Sequence, residues 1–129
     1  MPVEIHVLAL AALLQIAQFA IMGVPVNLQV GVKYTGGPRD NPVQITGVAG
    51  RLFRAYNNHF EALILFTIAV VVVTLGGKSS ALTENCAWTY LIARAVYVPA
   101  YASGIPMLRS LIWAVSFTAT VIMLVAAVV

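Results

Sequence analysis

Residues 110–129 carry no charged side chain at all. About 20 apolar residues, rising 1.5 Å each, suffice to cross the hydrocarbon of a bilayer as one helix. Residues 3–22 make a second such stretch, with Glu4 and His6 at its edge, Gln15 and Gln18 inside, and Gly23 and Pro25 expected to stop it. Composition agrees: 61% of the 129 residues are hydrophobic, 9% are charged and the mean hydropathy is +0.95. A soluble domain carries roughly 25% charged residues, so this chain lacks the polar surface to live in water.

Two further spans follow from less uniform stretches. Residues 62–75 are apolar but too short alone, so the helix must begin earlier, at about 47, in polar sequence. That extension puts Arg51, Arg54, Asn58 and Glu61 on a membrane helix. Another helix is expected over 82–101, with Ser79 or Ser80 as caps, Arg94 inside and Pro99 kinking its last turns. Gly104 and Pro106 mark the tight connection to 110–129. The expected fold is an all-α, integral membrane, four-helix up-down bundle forming one domain over 1–129. The first loop, 24–42, holds Gly36-Gly37-Pro38 and Asp40-Asn41-Pro42 and should be irregular.

Charge sets the expected orientation. Lys33, Arg39, Arg51, Arg54, Arg94 and Arg109 lie towards one side of such a bundle, and Lys78 alone towards the other. Basic residues accumulate on the cytoplasmic side, so the first loop should be cytoplasmic and both termini external. A net charge of +3, so scattered, argues against a nucleic-acid surface. The start of the chain lacks the cationic region of a secretory signal. The single cysteine, Cys86, excludes an internal disulfide and reads as a buried, inert thiol. No His/Cys/Asp/Glu grouping has metal-ligand spacing, and no internal repeat or phosphate-binding loop is present.

Polar groups at membrane depth cost about 2.5–3.5 kcal/mol per central charge, so they persist by pairing, by lining a wet cavity or by binding something. Arg54, Asn58 and Glu61 fall at i, i+4 and i+7 and share one helix face, which Arg51 continues at i−3. Arg94, Tyr97 and Tyr101 fall at i, i+3 and i+7 on the next helix, and Arg109 opens the last one. One reading is internal pairing, Glu61 with Arg94. The other is a ligand site. Four arginines against one glutamate leave surplus positive charge, which favours a small polyanionic guest gripped by guanidinium forks. His59 points about 100° away from this face and reads as a packing residue. His6 reads as an interface residue, as do Trp88, Trp113 and several tyrosines. Gln15 and Gln18 are expected to bridge helices.

The stretch Arg51-Leu-Phe-Arg54-Ala-Tyr-Asn-Asn58-His-Phe-Glu61 resembles the second-helix signature of the MAPEG family, membrane-associated proteins in eicosanoid and glutathione metabolism. Ala93-Arg94-x-x-Tyr97-x-x-x-Tyr101 and Gly104-x-Pro106-x-x-Arg109-Ser110 resemble the family's third helix and the start of its fourth. The likeness covers essentially the whole chain. It implies a homotrimer in a bacterial inner membrane, with glutathione bound between subunits near the cytoplasmic side. By the same resemblance Arg51, Arg54, Asn58 and Glu61 would hold glutathione's backbone, carboxylates and amino group. Arg94, Tyr97 and Tyr101 would complete the pocket, and Arg109 would stabilise the thiolate. The implied activity is glutathione transfer to hydrophobic electrophiles arriving from the lipid, with peroxides open to the same attack. A non-enzymatic scaffold or lipid-binding accessory subunit is the alternative, and a channel or transporter a distant third. The family's basic residues after the first helix are replaced here by Asn27 and Gln29, and an acidic residue before the motif by Gly50.

Overall fold

The computed structural model describes residues 1–38, 40 and 43–129. Among these, the chain is all helix and turn: α1 (Val3–Val30), α2 (Val32–Thr35), α3 (Gly47–Leu75), α4 (Ala81–Ser103) and α5 (Leu108–Val128). By length and composition α1, α3 and α5 can each cross a membrane. The fourth long helix, α4, has 23 residues but spends several on Thr83, Glu84, Asn85, Thr89 and Arg94. In the bundle α3 packs on α1, α4 and α5, and α4 also packs on α1 and α5.

The first helix departs from expectation. Gly23 and Pro25 do not stop it; it runs on to Val30 and ends at Gly31, whose φ of +86° suits glycine. A proline removes one backbone bond but leaves the rest of the ladder, and packing of Met22 and Val26 against Ala49 and Ile45 holds the extension in place. The first loop is therefore shorter than expected, and the short α2 occupies part of it. Gly36 and Gly37 do form a turn, closed by bonds to the Val32 and Tyr34 carbonyls. Arg39 and the Asn41-Pro42 part of the second turn signal lie outside the described residues.

The other ends follow local chemistry. α3 begins at Gly47, and Gln29 clamps its entry: the Thr46 amide donates to Gln29 Oε1 at 2.7 Å, and Gln29 Nε2 donates to the Thr46 carbonyl at 3.0 Å. Asn27 bonds the Thr35 hydroxyl, so Asn27 and Gln29 both serve to hold the loop. Ser80 caps α4 through a reciprocal box with Thr83, while Ser79 turns to Glu4. α4 continues through Pro99 to Ser103 and closes on Gly104 at φ +72°, and α5 starts at Leu108 rather than 110.

The core lies between α1, α3, α4 and α5, where Phe66 stacks on Tyr90 at 3.8 Å between ring centres. Leu13, Ile16, Ile64, Ile92 and Leu111 face outward and are exposed, as expected where lipid takes the place of water. Gln15 ties α1 to α3 by donating to the Tyr56 carbonyl at 3.4 Å, whereas the buried Gln18 amide makes no hydrogen bond.

Candidate functional site

At the end of the bundle shared by the α3 N-terminus, the α4 C-terminus and the start of α5, an open cleft of about 230 Å³ is lined by Arg54, Asn57, Asn58, Glu61, Tyr97, Tyr101 and Arg109. Six of these are residues that helix spacing had gathered on two faces and one helix start. Asn57 was missed, although it lies only three residues from Arg54 and so neighbours the same face.

Tyr101 organises the arginines. Arg54 Nε donates to its hydroxyl at 3.1 Å, and the Arg54 and Arg109 guanidinium carbons stand 5.8 and 4.9 Å from its ring centre. Tyr97 meets Tyr101 edge-on at 5.6 Å. Its hydroxyl is buried beside Arg109. Arg54, Arg109 and Glu61 are all exposed, and among the described residues no carboxylate pairs with either arginine. Two cations sharing one ring without an anion make a site that gains from an incoming carboxylate.

Two expected members sit elsewhere. Arg51 turns to the end of α4, where its Nε donates to the Ala102 carbonyl at 3.1 Å and its guanidinium lies beside Gly104. The unpaired carbonyls of a helix C-terminus attract a cation, and that local partner wins over the cleft. Arg94 lies behind the cleft, wholly buried. It does not pair with Glu61. Instead its Nη2 donates to Asn58 Oδ1 at 2.9 Å, its Nε donates to His59 Nδ1 at 3.3 Å, and its guanidinium covers the Tyr97 ring at 4.3 Å. Its Nη1 has no partner. The helix wheel rightly turned His59 away from the cleft face and into packing, but gave no sign of what it packs against. Only the docking of α4 shows that.

Asn58 and Glu61 also border a second cavity of about 170 Å³, walled by Leu65, Tyr90, Trp113 and Phe117. Trp113 and Phe117 stack at 4.9 Å there. At the opposite end of the bundle Glu4 is fully buried; its Oε2 accepts from Ser79 at 2.6 Å and from Thr83 at 2.7 Å. No group of three or more potential metal ligands occurs among the described residues.

A family model for MAPEG matches residues 5–129, nearly the whole chain. The chain belongs to the MAPEG family. It is thus a membrane protein of the family tied to eicosanoid and glutathione metabolism, and its arginine- and tyrosine-lined cleft lies on the motif stretches that carried the resemblance. No curated protein matches the chain.

Proposed function

We propose that this MAPEG protein is a four-span, homotrimeric glutathione transferase that adds the glutathione thiolate to hydrophobic electrophiles. The observation that carries this reading is the cleft itself, in which Arg54 and Arg109 gather at two tyrosines beside one exposed carboxylate, Glu61, and form no ion pair with a carboxylate among the described residues. Glutathione offers the complementary set, two carboxylates and one ammonium. In this reading Arg54 and the Asn58 amide hold carboxylate or peptide oxygens, Glu61 takes the ammonium, and Tyr97 and Tyr101 wall the pocket. Arg94 contributes from behind, through Asn58. Arg51 keeps α4 in place and has no direct contact with the ligand.

The chemical task is to make a thiolate. A free thiol with a pKa of about 8.5 is only a few per cent ionised at neutral pH. A guanidinium remains charged throughout, so Arg109 near the sulfur stabilises the anion without giving up a proton itself. The thiol proton passes to water. The thiolate sulfur bonds to an electrophilic carbon as a leaving group departs with its electron pair, or to a peroxide oxygen as the O–O bond breaks and the alcohol leaves. The substrate enters through the cavity beside Asn58 and Glu61.

The test is glutathione binding to the purified, detergent-solubilised protein, followed by the thiolate's ultraviolet absorbance. A thiolate signal present in the parent and lost in Arg109→Ala supports the assignment. No binding at millimolar glutathione overturns it. The scaffold reading would then lead. It draws on one specific observation: Asn27 and Gln29 are spent on Thr35 and Thr46, and so offer no anion contact.

A further inference from the structure

We infer that His59 is a positioning residue: it holds Arg94 so that Asn58 turns its N–H₂ group, a donor, towards the cleft. This rests on the reading of the cleft as an anion site. The inference starts from three hydrogen bonds in series. His59 Nε2 lies 3.1 Å from the Ala11 carbonyl of α1, His59 Nδ1 lies 3.3 Å from Arg94 Nε, and Arg94 Nη2 lies 2.9 Å from Asn58 Oδ1.

Donor and acceptor roles are fixed from both ends of the series. A carbonyl only accepts, so Nε2 carries the proton. A guanidinium only donates, so Nδ1 must offer its lone pair. Both ends demand the same species, the neutral imidazole protonated at Nε2. The same logic orients Asn58. Arg94 Nη2 can face only an oxygen, which fixes the amide without appeal to how its O and N were assigned. With Oδ1 held by Arg94, Nδ2 is the atom left for the cleft that Asn58 lines.

The consequence is a cleft in which Asn58 joins the two arginines as a donor. Arg54, Arg109 and Asn58 Nδ2 present N–H groups, and Glu61 is the only carboxylate among its lining residues. A ligand with several acceptor oxygens and one ammonium fits that pattern, and a ligand with several donors does not. His59 and Arg94 are each wholly buried, so neither has water as a substitute partner. Removing the imidazole acceptor strands a buried N–H of a charged group, and Arg94 must then move to find another. A shift of Arg94 releases Asn58, whose amide is then free to rotate. The Ala11 carbonyl makes α1 part of this support, although α1 contributes no residue to the cleft.

The experiment is ¹⁵N NMR of the full chain in detergent micelles, in a His6→Gln background that leaves His59 as the one histidine. The imidazole should show a protonated Nε2 and an unprotonated Nδ1, and the Asn58 side-chain amide one resolved pair of proton signals. In His59→Met the Asn58 signals should shift and the dissociation constant for glutathione should rise roughly tenfold, as expected for one hydrogen bond to a charged group. His59→Asn, whose Oδ1 can stand in for Nδ1, should return the Asn58 signals to the parent positions and bring affinity back to within about threefold. An Nδ1-protonated imidazole overturns the inference, as does an Asn58 signal unmoved in His59→Met or unrestored in His59→Asn. The resonances need no glutathione, so a parent that binds none sinks the transferase reading while the His59 network is still judged.

Discussion

Among the arginines of this chain, position decides role more than identity does. Arg51 and Arg109 both lie near the same end of the bundle, yet one serves a helix terminus and the other faces the cleft. Arg51→Ala should therefore lower thermal stability, by about 1.5–3 kcal/mol for a charge-assisted bond to a helix end, and leave glutathione affinity nearly unchanged. Arg109→Ala should do the reverse: melting in the same detergent stays near the parent's while thiolate absorbance disappears. Thermal melts and ultraviolet titration on the two variants check the pair. The residues of the cleft were largely legible, because i, i+3, i+4 and i+7 spacing states which side chains share a helix face. What spacing leaves open is how far a long side chain reaches and what it meets. Arg51 shares the Arg54 face but finds the α4 carbonyls first, and Arg94 shares the Tyr97 face but bends to His59 on another helix.

For single elements, apolar length told where helices lie better than punctuation told where they end. Helices over 47–75 and 82–101 were legible to within two residues, whereas Pro25 proved to be an interior residue of α1. A helix stop signal is a local cost, and it yields when apolar side chains beyond it find a partner, as Val26 does against α3. The junction between the α1 and α4 starts was not legible at all, since Glu4 gives no hint in sequence that Ser79 and Thr83 will meet it. That junction can be measured. Glu4→Leu leaves the buried Thr83 hydroxyl without its carboxylate and should cost about 1–3 kcal/mol. Combined with Thr83→Val, the loss should fall short of the sum by about 1 kcal/mol, because both changes delete the same bond. Pairing Glu4→Leu with Thr120→Val should instead be additive, since Thr120 donates to Ser116 within its own helix. Unfolding curves of the six proteins decide.

For the molecule as a whole, the exposed charges raise the question of what covers them. Arg54, Glu61 and Arg109 are exposed at one end of a bundle that also exposes many large apolar side chains. Charges at membrane depth facing lipid would cost about 2.5–3.5 kcal/mol each near the centre, so another protein surface must close over them or they must sit level with the interface. The cleft, at about 230 Å³, also falls short of the roughly 300–1,000 Å³ of a typical ligand pocket. Both facts are met if a second copy supplies the missing wall, as in the proposed trimer. Native mass spectrometry from detergent should then release a species of three chains that retains glutathione, and the dissociated single chain should retain none. A lone chain that keeps glutathione at full occupancy would place the whole site within one bundle, leaving the interface as the only explanation for the exposed charges. Orientation supplies the independent check. In a Cys86→Ser background, Lys33→Cys should react with a membrane-impermeant maleimide only after the cells are opened, and Lys78→Cys in intact cells. The opposite pattern would put the cleft on the outer side, where glutathione is scarce, and would count against the transferase reading even if the trimer stands.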